Sequence, residues 1–209
     1  MTAEAIEQPV IPGDGLVLRP WDEELVKQLA AWGERGFPYN AFDLGYLRDD
    51  YRARAMLSWV RDDHTHRHFI ACEGANAVGR VSVNLRDDAG LYIWAVHVPP
   101  EHEGRGIARR MLAALISWLE DNYPGRDFVL TSNAFAERAH RTYFSLGFEI
   151  AETRWQFDKA IADYLWKVTP EEREPISKHI RFQNGFWEVR NYVMRRPGRT
   201  SPRPLGTAA

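Results

Sequence analysis

The run Val98-Pro99-Pro100-Glu101-His102-Glu103-Gly104-Arg105-Gly106-Ile107-Ala108 joins a β-like stretch to an amphipathic helix. A strand that stops at two prolines, turns through small residues and enters a helix leaves backbone N–H groups unpaired at the positive end of the helix dipole. Such a turn is an anion cradle. Gly104, Gly106 and Ala108 let the backbone come close to phosphate oxygens, where a larger side chain would intrude. The ligand this chemistry suits is a pyrophosphate.

The spacing is neither the GxGxxG of dinucleotide folds nor the GxxxxGK[ST] of nucleotide-hydrolysing loops. It resembles motif A of the GNAT-type N-acetyltransferases, in which a strand ending in Val-x-Pro leads into [Gln/Arg]-x-x-Gly-x-[Gly/Ala]. The resemblance implies that Val96, Val98, Glu103, Gly104, Arg105, Gly106, Ile107 and Ala108 hold acetyl-coenzyme A. Glu103 departs from the usual Gln or Arg, and a carboxylate there must turn to solvent, pair with Arg105 or Arg109, or weaken coenzyme binding. Downstream, Ala139, Tyr143, Gly147 and Phe148 fall on the spacing of the family's motif B. Ala136 stands where the family has Asn, and Asn133, one turn earlier, is a candidate coenzyme contact.

Acetyl transfer to an amine makes two demands. A lysine-like amine of pKa near ~10.4 is almost wholly protonated at neutral pH, which costs about 4–5 kcal/mol of reactivity. The departing thiolate also needs a proton, and the resemblance assigns that role to Tyr143. The strand before the loop carries no carboxylate, so the candidate bases are His97, Tyr92 on the same strand, and Glu73 at the end of an earlier one, with proton loss through water as the alternative. For the acceptor, Trp32, Phe37, Tyr39 and Phe42 cluster between the first two helices, and Trp94 lies on the strand leading to the loop. These aromatics either line an apolar slot or belong to the core.

The elements that must position these groups follow from pattern. Leu16 to Arg19 reads as a strand, and Asp22 caps a helix with Leu25, Val26, Leu29 and Trp32 on one face. A second helix is expected around 49–60, then a hairpin of 67–72 with 78–85, and a strand at 91–98. The helix 107–123 buries Leu112, Leu115, Ile116 and Leu119, and Phe128 to Thr131 is the following strand. A last strand at 188–194 follows the tight-turn pair Asn184-Gly185. The fold class is α/β: a GNAT-like mixed, mostly antiparallel sheet flanked by helices, with a helical insertion before the last strand. Thr169-Pro170-Glu171-Glu172 marks a helix start inside that insertion, about 157–183, which forms a wall at the acceptor site or else a surface decoration or homodimer contact. The expected organisation is a flexible N-terminus at 1–14, a single acyltransferase domain at 15–196 and a flexible C-terminal tail at 197–209, and the basic run Arg195-Arg196-Pro197-Gly198-Arg199 reads as solvated.

At 209 residues, 44% hydrophobic, the chain can bury a substantial core. A net charge of −2 offers nucleic acid or an anionic membrane no electrostatic reason to bind. One cysteine, Cys72, permits neither an internal disulfide nor a cysteine metal site, and no metal is expected. The start lacks a signal-peptide pattern and no apolar run reaches membrane-spanning length, so a cytoplasmic location is expected. The expected function is transfer of acetyl from acetyl-CoA to a primary amine of a small molecule or a peptide or protein N-terminus, by direct attack in a ternary complex. The alternative is a catalytically inert coenzyme-A-binding regulatory or interaction domain.

Overall fold

The computed structural model describes residues 8–200. Strands β1 (Ile11–Gly13) and β2 (Leu16–Pro20) lead to helix α1 (Glu23–Ala30), two 3-10 turns and α2 (Asp50–Asp62). A meander of β3 (His66–Glu73), β4 (Asn76–Asn84) and β5 (Leu91–His97) precedes the long α3 (Ile107–Asn122). Then come β6 (Phe128–Asn133), α4 (Glu137–Ser145), β7 (Glu149–Gln156), α5 (Lys159–Leu165), α6 (Pro170–Arg173), β8 (Ile180–Gln183) and β9 (Phe186–Arg196).

The nine strands among the described residues form one sheet in the order β1-β2-β3-β4-β5-β6-β9-β7, with β8 also on β9. Every pairing is antiparallel except that of β5 with β6. This parallel pair is short: Leu91, Tyr92 and Ile93 meet Phe128, Val129 and Leu130, and no pairing continues beyond them. The rest of each strand loses its neighbour, and the sheet opens there.

The same stretch of β5 is bent. Arg80 faces His97 and Ser82 faces Trp94, so β5 carries an extra residue against β4, and Ala95 takes a φ of +52°. A bulge with a left-handed non-glycine residue is costly and tends to mark a functional strand. It re-aims the backbone just before the phosphate loop.

Local chemistry explains the helices. Asp22 accepts the Leu25 N–H at 2.8 Å and starts α1, whose Leu25, Val26 and Leu29 are buried against one face of the sheet. On the other face α3 buries Ile107, Met111, Leu112, Leu115 and Leu119 in the main core. The helix sits close because β4 has Gly79 there: a Cβ would lie 3.2 Å from the His97 carbonyl and 3.2 Å from the Met111 sulfur.

The insertion is helical as expected. Thr169 and Glu172 form a reciprocal capping box with Pro170 at the first helical position. The Asn184-Gly185 turn has φ of +52° and +83°, the conformation that closes a two-residue hairpin, here between β8 and β9.

Both expected flexible ends need correction within the described residues. Ile11–Gly13 is paired with β2, and Ile11 is buried in the main core. At the other end Arg196 and Arg199 reach the buried Glu120 at 2.8 and 3.3 Å, and the Arg199 carbonyl accepts the Gly125 N–H at 2.7 Å. The basic run is docked by an acid on α3. Residues 1–7 and 201–209 lie outside the described residues. No helix among the described residues is long and apolar enough to cross a membrane.

Candidate active site

The loop expected to bind phosphate has the backbone its sequence requires. Gly104 and Gly106 take φ of +75° and +73°, and a Cβ at either would meet nothing within 4 Å. The first carbonyl to serve the helix is that of Gly106, which accepts the Arg110 N–H at 3.1 Å. The amides before Arg110 thus have no intrahelical acceptor, and the space above them is open. Ile107 is buried beneath as the anchor.

Glu103 does not pair with Arg105 or Arg109. One carboxylate oxygen accepts Arg35 Nε and Nη2 at 3.1 Å, and the other accepts Arg138 Nη1 at 3.0 Å. Two guanidiniums are thereby gathered at the loop by a carboxylate, and either could turn to a phosphate without leaving the neighbourhood. Arg35 was not foreseen. It also donates to the Val98 carbonyl, and its Nη1 lies 2.8 Å from His97 Nε2.

That contact bears on the base. His97 is buried and stacks on Trp32 at 5.2 Å between ring centroids. A guanidinium gives its N–H to Nε2, so this nitrogen's lone pair is taken and cannot receive a proton from an amine. Glu73 fares no better. Its two oxygens accept Arg105 Nη2 and Arg110 Nη2, each at 2.6 Å, and the Arg110 hydrogen bond, with the charge of Arg105, holds its carboxyl below the usual range. Glu73 braces the glycine loop and the start of α3.

Tyr143 is buried on α4, facing the main core with Ala139 and Leu146 beside it. Burial, with a smaller contribution from Tyr92, pushes its hydroxyl up to about 12. It stays protonated at any physiological pH, as a proton donor must. Tyr92, half-buried on β5 where that strand is still paired with β6, is near enough to act on it. Asn133 ends β6 with its amide nitrogen buried and unpartnered. Val96 and Val98 pack partly buried against the main core.

A cavity of about 410 Å³ opens on the α1 and α2 side of the sheet. Trp21 walls it from the β2–α1 connection, Tyr46 from a 3-10 turn and Met56 and Trp59 from α2, with His68, Arg80, Ser82 and Trp94 from strands β3, β4 and β5. Of the expected acceptor aromatics among the described residues, only Trp94 lines it. Phe37 instead packs with Phe135, Ile161 and Leu165, and the Tyr39 hydroxyl donates to the Phe135 carbonyl at 3.3 Å. The side chain of Phe42 lies outside the described residues. The insertion therefore rests on the 37–42 segment, and none of its residues lines the cavity. An apolar patch on a loop satisfies an insertion as well as a ligand, which is why composition could not separate the two.

Inside the cavity wall lies a chain of polar groups that the sequence did not disclose. His68 and Ser82 are paired residues of β3 and β4, and His68 Nδ1 sits 2.9 Å from Ser82 Oγ. Its Nε2 is 3.3 Å from Asp63 Oδ2. Burial lowers the pKa of His68, and Asp63 offsets only part of this. Burial alone would raise Asp63, but the N–H groups of Thr65 and His66 and the Thr65 hydroxyl, together with His68, hold its carboxyl far below the usual range. The result is a neutral imidazole backed by a fixed carboxylate. His66 Nδ1 reaches the same Asp63 oxygen at 2.7 Å, and the three ligand atoms lie within 4.8 Å of one another. Such a set could hold a divalent cation, and here hydrogen bonds join it. The one sequence signal was the alternation His64, His66, His68 beside Asp63.

The family model described as the acetyltransferase (GNAT) family matches residues 24–148, more than half of the chain. The chain belongs to that family. This acetyltransferase is also similar in structure to the ribosomal L7/L12 α-N-protein acetyltransferase in complex with coenzyme A. There the TM-score is 0.63 at 16% identity, with 92% of this chain and 100% of that one covered. Spermidine N-acetyltransferase from Vibrio cholerae, in complex with CoA and spermine, gives 0.62 at 15% identity, with 88% and 96% covered. The ribosomal-protein-S18-alanine N-acetyltransferase from Escherichia coli gives 0.56 at 13%, with 92% and 99% covered. These likenesses show the fold. Among curated protein sequences no significant relative was found.

Proposed function

We propose that this chain moves the acetyl group of acetyl-coenzyme A to a primary amine seated in the cavity beside Trp94, by direct attack in a ternary complex. The observation that carries the reading is the Ser82–His68–Asp63 chain in the cavity wall, opposite the β5 bulge that leads into the phosphate loop. It supplies the base that the strand before the loop lacks.

The amides of 104–109 and the guanidiniums of Arg35 and Arg138 hold the pyrophosphate. An incoming ammonium gives a proton through the Ser82 hydroxyl to His68 Nδ1, and Asp63 stabilises the imidazolium that forms. The freed amine attacks the thioester carbon, the bond to sulfur breaks, and Tyr143 protonates the departing thiolate. The second proton of the amine returns to Tyr143 through water, and His68 releases the first to solvent. Net, one ammonium and one thioester give an amide, a thiol and one proton. No metal enters the reaction as proposed.

Following free thiol while acetyl-coenzyme A is mixed with a panel of small amines and N-terminal peptides tests this directly. Amine-dependent release is expected, whereas coenzyme binding with no release for any acceptor would favour the inert domain. Tyr143→Phe keeps the ring in its packed site and removes only the hydroxyl. With acceptor saturating, kcat is expected to fall about 10²-fold with little change in coenzyme affinity. A kcat within about threefold of the parent would make Tyr143 a packing residue.

A further inference from the structure

The cavity wall carries a positive charge and nothing to balance it. Of its eight lining residues one is a guanidinium, Arg80, and none is a carboxylate. Among the described residues no acid lies within ion-pair distance of Arg80; its one polar neighbour of note is the Tyr46 phenol, and burial lowers its pKa. Arg80 Nε is shut from solvent with no hydrogen-bond partner, and so are the indole nitrogens of Trp21 and Trp94 on the same wall. All three are donors. Asp63, the nearest acid in the polar chain, is spoken for by Thr65, His66 and His68.

Three N–H donors held out of water without an acceptor, one of them on a guanidinium with no acid beside it, are unfavourable until an acceptor arrives, and an anion answers the charge as well. Apart from His68 and Ser82, the rest of the wall is Trp21, Tyr46, Trp59 and Trp94 with Met56, aromatic or apolar throughout. Trp59 stands 6.3 Å from Trp94 between ring centroids in an edge-on arrangement, which leaves ring faces and edges for a flat or bulky apolar body. Arg80 and Ser82 lie two apart on β4, and so on one face, about 6–7 Å along the strand. The guanidinium and the hydroxyl that leads to His68 thus both line the cavity, separated along β4.

Resting on the acetyl-transfer reading above, we propose that the acceptor is a small amine that also bears a carboxylate: an amino acid with an aromatic or large apolar side chain. Arg80 receives the carboxylate, the tryptophans enclose the side chain, and the amine faces Ser82 and His68. A polyamine does not suit this wall. Its second ammonium would meet Arg80 and find no acid. The rings could attract an ammonium through their faces, so the test must separate the two charges.

The three cavity tryptophans supply the readout, since their fluorescence responds to a bound ligand without turnover. Wild-type protein saturated with coenzyme A would be titrated with phenylalanine, with phenethylamine, which lacks only the carboxylate, and with spermidine. Phenylalanine is expected to bind at least about tenfold more tightly than phenethylamine, with spermidine weaker still. Arg80→Gln should erase the difference between the first two, and Arg80→Lys should keep part of it. Equal or tighter binding of phenethylamine or spermidine, or no binding of any carboxylate-bearing amine across a panel of side chains, would overturn the proposal. The wild-type comparison stands even if an Arg80 variant fails to fold. The same ligands are run in the thiol-release assay with acetyl-coenzyme A. Carboxylate-selective binding without release would overturn acetyl transfer and leave the site intact.

Discussion

Gly106→Glu is expected to leave the chain folded and to raise the Kd for coenzyme A by at least about 10²-fold. The loop amides act only if the space above them stays empty, and a Cβ at Gly106 points to no atom within 4 Å. A glutamate would fill that space and bring a carboxylate to where the proposed pyrophosphate site lies. The φ of +73° adds backbone strain for any residue with a Cβ, of order 1–3 kcal/mol, so Gly106→Ala is the control that carries the strain without the charge. Calorimetric titration compares the two, with thermal melts alongside. Unchanged affinity in folded Gly106→Glu would remove the loop from coenzyme binding.

His68→Gln should lower kcat/KM by about 10²–10⁴-fold and change the shape of the pH profile. Burial depresses the His68 pKa below the ordinary value of about 6.5. A base works in its neutral form. Activity should therefore be full at neutral pH and decline only as pH falls through that depressed pKa; in the variant this acidic limb should disappear. The sign also fixes the stability control. A histidine whose folded pKa is depressed resists protonation, so the folded state weakens as pH drops below the unfolded pKa, and melts should be matched at neutral pH. Should the limb persist in the variant with its position unchanged, the proton goes elsewhere and His68 only spaces the strands.

How much of this was legible in the sequence depends on the range over which each feature is encoded. Local rules worked where a few neighbouring residues decide the outcome. Asp22 and Thr169 cap helices, Asn184-Gly185 turns a hairpin, and Gly104 and Gly106 adopt the left-handed backbone of the cradle. The order of elements followed from the same rules, and the family's motifs placed Tyr143 on its helix.

Features set by strand register were out of reach. His68 and Ser82 meet because β3 and β4 pair with those two residues opposed, and no spacing along the chain announces it. His97 looked like the better base on intrinsic chemistry. Its partner, Arg35, comes from a loop 62 residues away, and that contact takes its lone pair. Glu73 was drawn to arginines of the phosphate loop and α3 in the same way. The aromatic loop residues Phe37 and Tyr39 show a different limit: hydrophobicity predicts that they will be covered, and says nothing of whether an insertion or a substrate covers them. The basic run at 195–199 read as solvated because its counter-charge, Glu120, lies on the distant α3.

The central claim, direct transfer between two substrates bound together, is tested most directly by initial rates of thiol release with acetyl-coenzyme A and acceptor both varied. The proposed ternary complex predicts families of reciprocal plots that intersect. Parallel plots, with an acetyl group recovered on the protein when acceptor is withheld, would contradict it and move the acetyl group onto a side chain such as Ser82.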